Sequence, residues 1–77
     1  MKEVDEILMR CTGVDIANIT PEKHLVIDLM ADSIALIDIA IELESAFGFV
    51  FTEHDMQSVN TVADIYDLVT TRSSSGE

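Results

Sequence analysis

The stretch DLMADSIALIDIAIELESAFG, residues 28–48, decides how this chain folds. From Ser33 to Phe47 it reads as one helix, and Gly48 ends it. Place that helix on a wheel at about 100° per residue, with Ser33 at zero. Leu36, Ile39, Ala40, Leu43 and Phe47 then fall in an arc of about 240° to 340°, a sufficient core face. Asp38, Glu42 and Ser45 fall near 120° to 180°, a wet face. Ile34, Ile37 and Ile41 lie between about 40° and 100°, off the core arc, and Glu44 near 20° lies on the Ser33 side. Two readings follow. Either a short helix and a loop cover these isoleucines, or they form an apolar docking stripe rimmed by acids.

The elements around this helix follow from spacing. Val4, Ile7, Leu8 and Cys11 recur at i, i+3, i+4 and i+7, which predicts a helix over about residues 2–12 with Gly13 as its stop. Cys11 reads as a core thiol. Residues 13–31 are long for a plain connection, but Val14, Ile16, Ile19, Leu25 and Leu29 can pin them to the core. Thr20-Pro21 suggests an N-cap and first position of a short helical turn. FVF at 49–51 is too short to commit to a strand. Thr52 with Asp55 resembles a capping box opening a short helix near 53–58. Thr61 with Asp64 repeats it before Val62, Ile65, Tyr66 and Val69. The expected fold is all-α: a small four-helix bundle, three main helices and one short one, with a long ordered loop between the first two. Residues 1–70 form the helical domain and 71–77 a flexible polar tail.

Composition limits function. A chain of 77 residues is one domain with a small core. Fifteen acids face four bases, and no Lys or Arg stands between His24 and Thr71. Nucleic acid and anionic membrane are therefore poor partners, and a basic protein surface is the natural complement. A charge that serves only solubility is the competing reading. With 48% hydrophobic residues the chain is not disordered. It shows no secretory leader and no run of about 18 apolar residues, so no membrane insertion is expected. A single cysteine points to no oxidising compartment, so a bacterial-type cytosol and an organelle interior both fit. The expectation is a cytoplasmic monomer.

Ser33 has three readings. It, or Asp32, caps the helix and satisfies orphan N–H groups. It is a hydrolase nucleophile served by His24 or His54, but no G-x-S-x-G elbow is present and the chain is small for a cleft. Or it is a modification site, where an attached phosphodiester would meet free N–H groups and the positive end of the helix dipole. The histidines show no zinc spacing, so no metal is expected, and no residue is assigned a catalytic role.

The order of motifs decides among these. Asp28-Leu29, the turn Met30-Ala31, and Asp32-Ser33-Ile34 are followed by ALIDIAIELESAFG. GVD at 13–15, PEKHLVIDL at 21–29 and TVADIYDLV at 61–69 stand in matching places. Over nearly its whole length the chain resembles the acyl carrier proteins. The resemblance implies that Ser33 receives 4'-phosphopantetheine from coenzyme A through a phosphopantetheinyl transferase. The arm's thiol would hold acyl intermediates of fatty-acid, polyketide or related specialised lipid synthesis, and the carrier itself would not be an enzyme. It implies that Asp32, Ile34, Ile37, Asp38, Ile41 and Glu44 meet basic patches on acyl-loading and acyl-processing enzymes. It further implies a chain-sheltering pocket, with Leu43, Phe47, Val59 and Ile65 as candidate liners. An aminoacyl or peptidyl carrier, and an unmodified acidic interaction module, are the alternatives. The chain departs from the family pattern at Met30, where a glycine is usual, at Ile34, Ala35 and Ser45, and at Thr52, where proline is common. These departures favour a dedicated pathway over the general fatty-acid carrier.

Overall fold

Val4, Ile7 and Leu8 are buried along one side of α1, Lys2–Thr12, as their spacing requires. Gly13 closes the helix in the left-handed conformation, φ 79°, with its N–H on the Met9 carbonyl. The computed structural model describes residues 1–73. After α1 come a 3-10 turn, Ile16–Asn18, and then α2, Ser33–Phe47, α3, Glu53–Ser58, and α4, Val62–Ser73. The fold is the expected four-helix bundle. On α2 the centre of the core arc, Ile39 and Leu43, is buried, with Leu36, Ala40 and Phe47 half-buried against the core. From α4, Val62, Ile65 and Val69 close it.

Both capping boxes form. Thr52 Oγ1 accepts from the Asp55 N–H at 3.1 Å, and Asp55 returns a bond to the Thr52 N–H at 2.9 Å. Thr61 and Asp64 do the same at 3.2 and 3.0 Å. Each box satisfies N–H groups that the first helical turn leaves orphaned. The Thr20-Pro21 segment makes the expected turn but not the expected cap. It makes a single turn, closed by Lys23 N–H on the Thr20 carbonyl at 3.1 Å, and no helix follows. Thr20 spends its hydroxyl on Glu22, and the chain at once joins α4 instead: Ala63 and Val62 N–H groups donate to the Pro21 and Lys23 carbonyls at 2.9 and 3.0 Å.

The end of the chain also differs. The tail expected from residue 71 begins as helix, because α4 continues through Thr71, Arg72 and Ser73. Arg72 reaches back to α3, where Asp55 accepts two guanidinium bonds at 2.6 and 3.0 Å. That pair rewards one more helical turn. Residues 74–77 of the expected tail lie outside the described residues.

Polar contacts tie the helices together. Tyr66 of α4 donates its hydroxyl to Asp5 of α1, and Arg10 of α1 pairs with Glu42 of α2. Cys11 packs against the core with its thiol 3.8 Å from Glu42; burial and that carboxylate push it up to about 11, so the thiol is inert at neutral pH. Few such pairs offset a formal charge of -11. Self-repulsion should therefore limit stability at low ionic strength. A thermal melt across a sodium chloride titration should show a rising Tm, and a flat response would mean that the acids do not strain the fold.

Candidate functional site

The loop before α2 is sewn down residue by residue. Leu25 N–H donates to the Asn60 carbonyl at 2.9 Å, and Ala31 N–H to the Leu25 carbonyl at 2.9 Å. Leu25, Leu29 and Ala31 are all buried. His24 organises the turn between them: its Nδ1 accepts from the Val26 and Ile27 N–H groups, both at 3.1 Å, and Asp28 accepts from its own N–H at 2.7 Å. Two anchors, Leu29 and Ala31, thus fix where α2 starts.

Asp32 is the N-cap of α2, and its Oδ1 accepts from the Ala35 N–H at 2.8 Å. Asp32 therefore satisfies the helix, and Ser33 does not have to. Ser33 occupies the first helical position, exposed, and its hydroxyl has no hydrogen-bond partner among the described residues. The N–H groups of Ser33 and Ile34 likewise have no partner among those residues. A free hydroxyl beside two free donors at the positive end of a helix fits a covalently attached phosphodiester. A hydrolytic role finds no support in His24, because its Nδ1 is already occupied by two backbone donors.

The stripe is open. Ile34 is 71% exposed, and Ile37 and Ile41 are each 56% exposed. At that exposure neither α3 nor the loop covers them, and the loop packs inward through Leu25 and Leu29. Asp32 and Asp38 are exposed beside the stripe. Glu44 differs from its expected role. It is half-buried, and its carboxylate accepts from the Phe51 N–H at 2.7 Å, so it holds the α2–α3 loop as well as edging the stripe. Exposure also extends to the other side of Ser33, onto Ile27 at 73% and Met30 at 81%. The wheel missed these two because they precede the helix. Their only signal was position between the inward-facing Leu25, Leu29 and Ala31.

A cavity of about 190 Å³ lies among α2, α3, α4 and the loop. Leu25, Leu36, Ile39, Phe51, Val59 and Ile65 are among its liners. Of the four expected liners, Val59 and Ile65 are there, while Leu43 and Phe47 are not. Leu43 lies one turn beyond Ile39 and is fully buried in the solid core, and Phe47 lies a turn further still. The space opens beside the first half of α2, nearer Ser33.

Comparison with known proteins agrees with this geometry. The family model described as the phosphopantetheine attachment site matches residues 2–69. An acyl carrier protein of Coprothermobacter proteolyticus is 38% identical over 68 residues, covering 88% of this chain and 83% of that protein. The meromycolate extension acyl carrier protein of Mycobacterium tuberculosis is 36% identical over 62 residues, 80% of this chain but 54% of that one, so the match spans about half its length. Among solved structures, a Mycobacterium tuberculosis chain classed with the acyl carrier proteins superimposes with a TM-score of 0.84 at 31% identity, covering 91% of this chain and 93% of that one. The chain belongs to the acyl carrier proteins, the family built around a phosphopantetheine attachment site.

Proposed function

We propose that Ser33 is the residue that carries 4'-phosphopantetheine, and that the loaded protein presents acyl thioesters to the enzymes of a fatty-acid, polyketide or related specialised lipid pathway. One observation supports this reading above the rest: Asp32 caps α2, which leaves the Ser33 hydroxyl exposed and unbonded. In the loading step the Ser33 Oγ attacks the pantetheine-side phosphorus of coenzyme A. The Oγ–P bond forms as the pyrophosphate P–O bond breaks, adenosine 3',5'-bisphosphate leaves, and a base of the transferase takes the hydroxyl proton. Once attached, the group supplies a thiol that holds the acyl chain.

The carrier's own residues act by binding. Ile34, Ile37 and Ile41 supply an apolar strip, with Asp32 and Asp38 beside it and Glu44 at its margin. A transferase or acyl-processing enzyme with an apolar pocket ringed by Lys and Arg fits that surface. The cavity near Ser33 offers a place for a short acyl segment. No helix among the described residues is long and apolar enough to cross a membrane. We read the protein as a monomeric, non-catalytic carrier of the cytoplasm.

The test is mass spectrometry of the intact protein after incubation with coenzyme A and a broad-specificity transferase. The expected product carries one phosphopantetheine. Unchanged mass under conditions that load a control carrier would reject the reading.

A further inference from the structure

Met30 stands at φ 60°, alone among the described non-glycine residues at positive φ. An L-residue there brings its Cβ against the backbone, a strain that glycine does not have. Such strain persists where surrounding structure enforces it. Here it is enforced: Leu29 and Ala31 on either side are buried, and the chain between them must turn its one free side chain outward. The Met30 side chain is 81% exposed, the most exposed of the chain's large apolar residues. Among the described residues its side chain neither packs against the core nor makes a hydrogen bond. A strained backbone therefore holds a long apolar side chain in water, three residues before Ser33.

Met30 is not isolated. Ile27, 73% exposed, stands three residues before Met30, and Ile34, 71% exposed, four residues after it and next to Ser33. Asp28 and Asp32 are exposed beside them, and no Lys or Arg stands between His24 and Thr71. A second copy of so acidic a surface would repel the first, whereas a basic protein would not. The occupant must also be the enzyme that works on Ser33 itself. Enzymes acting at the far end of the arm can seat on the α2 stripe alone, without reaching Ile27 and Met30 on the other side of Ser33. The transferase has to bring a phosphorus to bonding distance of Oγ, so it must cover the residues on both sides of Ser33.

We propose that Met30 is a specificity-determining contact for the phosphopantetheinyl transferase that loads this carrier. It seats with Ile27 and Ile34 in an apolar pocket rimmed by Lys or Arg. Methionine suits the task because its unbranched, polarisable side chain adapts to an irregular pocket. The proposal rests on the assignment of Ser33 as the attachment residue.

The experiment uses the source organism's own transferase and coenzyme A, with steady-state loading kinetics on the wild type, Met30→Gly, Met30→Leu and Val50→Ser. Met30→Gly should raise KM for the carrier at least about tenfold, the size expected of an anchor residue, with kcat unchanged. The same variant should melt about 4 °C higher, because its strain is gone. Met30→Leu, which keeps both strain and an apolar side chain, should retain the wild-type KM. Val50→Ser removes another strongly exposed apolar residue, 71% exposed, far from Ser33 in sequence, and should also leave KM unchanged. With saturating transferase, Met30→Gly should still reach full loading by mass. A KM for Met30→Gly within about twofold of wild type, or a lower Tm, would overturn the proposal. Failure of the wild type to gain any mass would instead remove the Ser33 assignment on which it stands.

Discussion

Ser33→Ala should take up no phosphopantetheine at any transferase concentration, while its fold stays intact. The loss is complete because the oxygen that forms the ester bond is gone, and Asp32 cannot replace it while committed to the Ala35 N–H. The fold should be indifferent for the same reason. The Ser33 hydroxyl has no partner among the described residues, and the cap belongs to its neighbour. A surface change of this kind moves stability by less than about 0.5 kcal/mol. Asp32→Ala makes the contrast, since it removes a cap worth about 1 kcal/mol and should lower Tm. Intact mass and a thermal melt on both variants separate the two roles. A mass gain in Ser33→Ala would move the attachment site elsewhere.

Arg72→Met should produce a large loss of stability. Asp55 is 4% exposed, and the guanidinium of Arg72, followed by the Thr52 hydrogen bonds, holds its carboxyl down to about 2 from an ordinary 3.8. A depressed carboxylate contributes stability that is present above its ordinary value and lost as the pH falls through its folded value. The window here is about pH 4 down to about pH 2. At neutral pH the contribution is about 2 kcal/mol, allowing for the half-exposed Arg72 side. Removing Arg72 strands a buried charge, so Tm should fall by about 8–15 °C. Adding Asp55→Asn to Arg72→Met should recover part of that loss, because the stranded charge disappears with it. The melts should converge between wild type and Arg72→Met as the pH drops toward 2. A loss under about 2 °C at neutral pH would show that the pair only decorates the surface.

Much of this protein was legible as periodicity. The helices at 2–12, 33–47 and 53–58 stand where their spacing and caps placed them, since capping boxes and glycine stops are local chemistry. The split of α2 into a core arc and an exposed isoleucine stripe also followed from angles alone. Local chemistry failed where a distant partner decides. Arg72 looked like part of a polar tail until Asp55, 17 residues away, gave it a partner and the helix another turn. Thr20-Pro21 made its short turn, but the Thr20 hydroxyl donates to Glu22 instead of capping it. Glu44 has a second task that its spacing did not show, because its carboxylate also accepts from the distant Phe51 N–H. Two of the four expected cavity liners, Leu43 and Phe47, fell one to two turns off for a related reason, because the position of an empty space depends on how three elements pack together.

The sequence by itself determined a small acidic helical bundle, its caps, and a serine at the head of an unusually apolar helix. A wheel and a charge count need only one segment at a time. The tertiary structure alone decided that Asp32 caps α2 and leaves Ser33 free, and that Met30 faces water in a left-handed turn. Those two facts depend on Leu25, Leu29 and Ala31 being held under the bundle, and burial of a loop is settled only when the helices it packs against are in place.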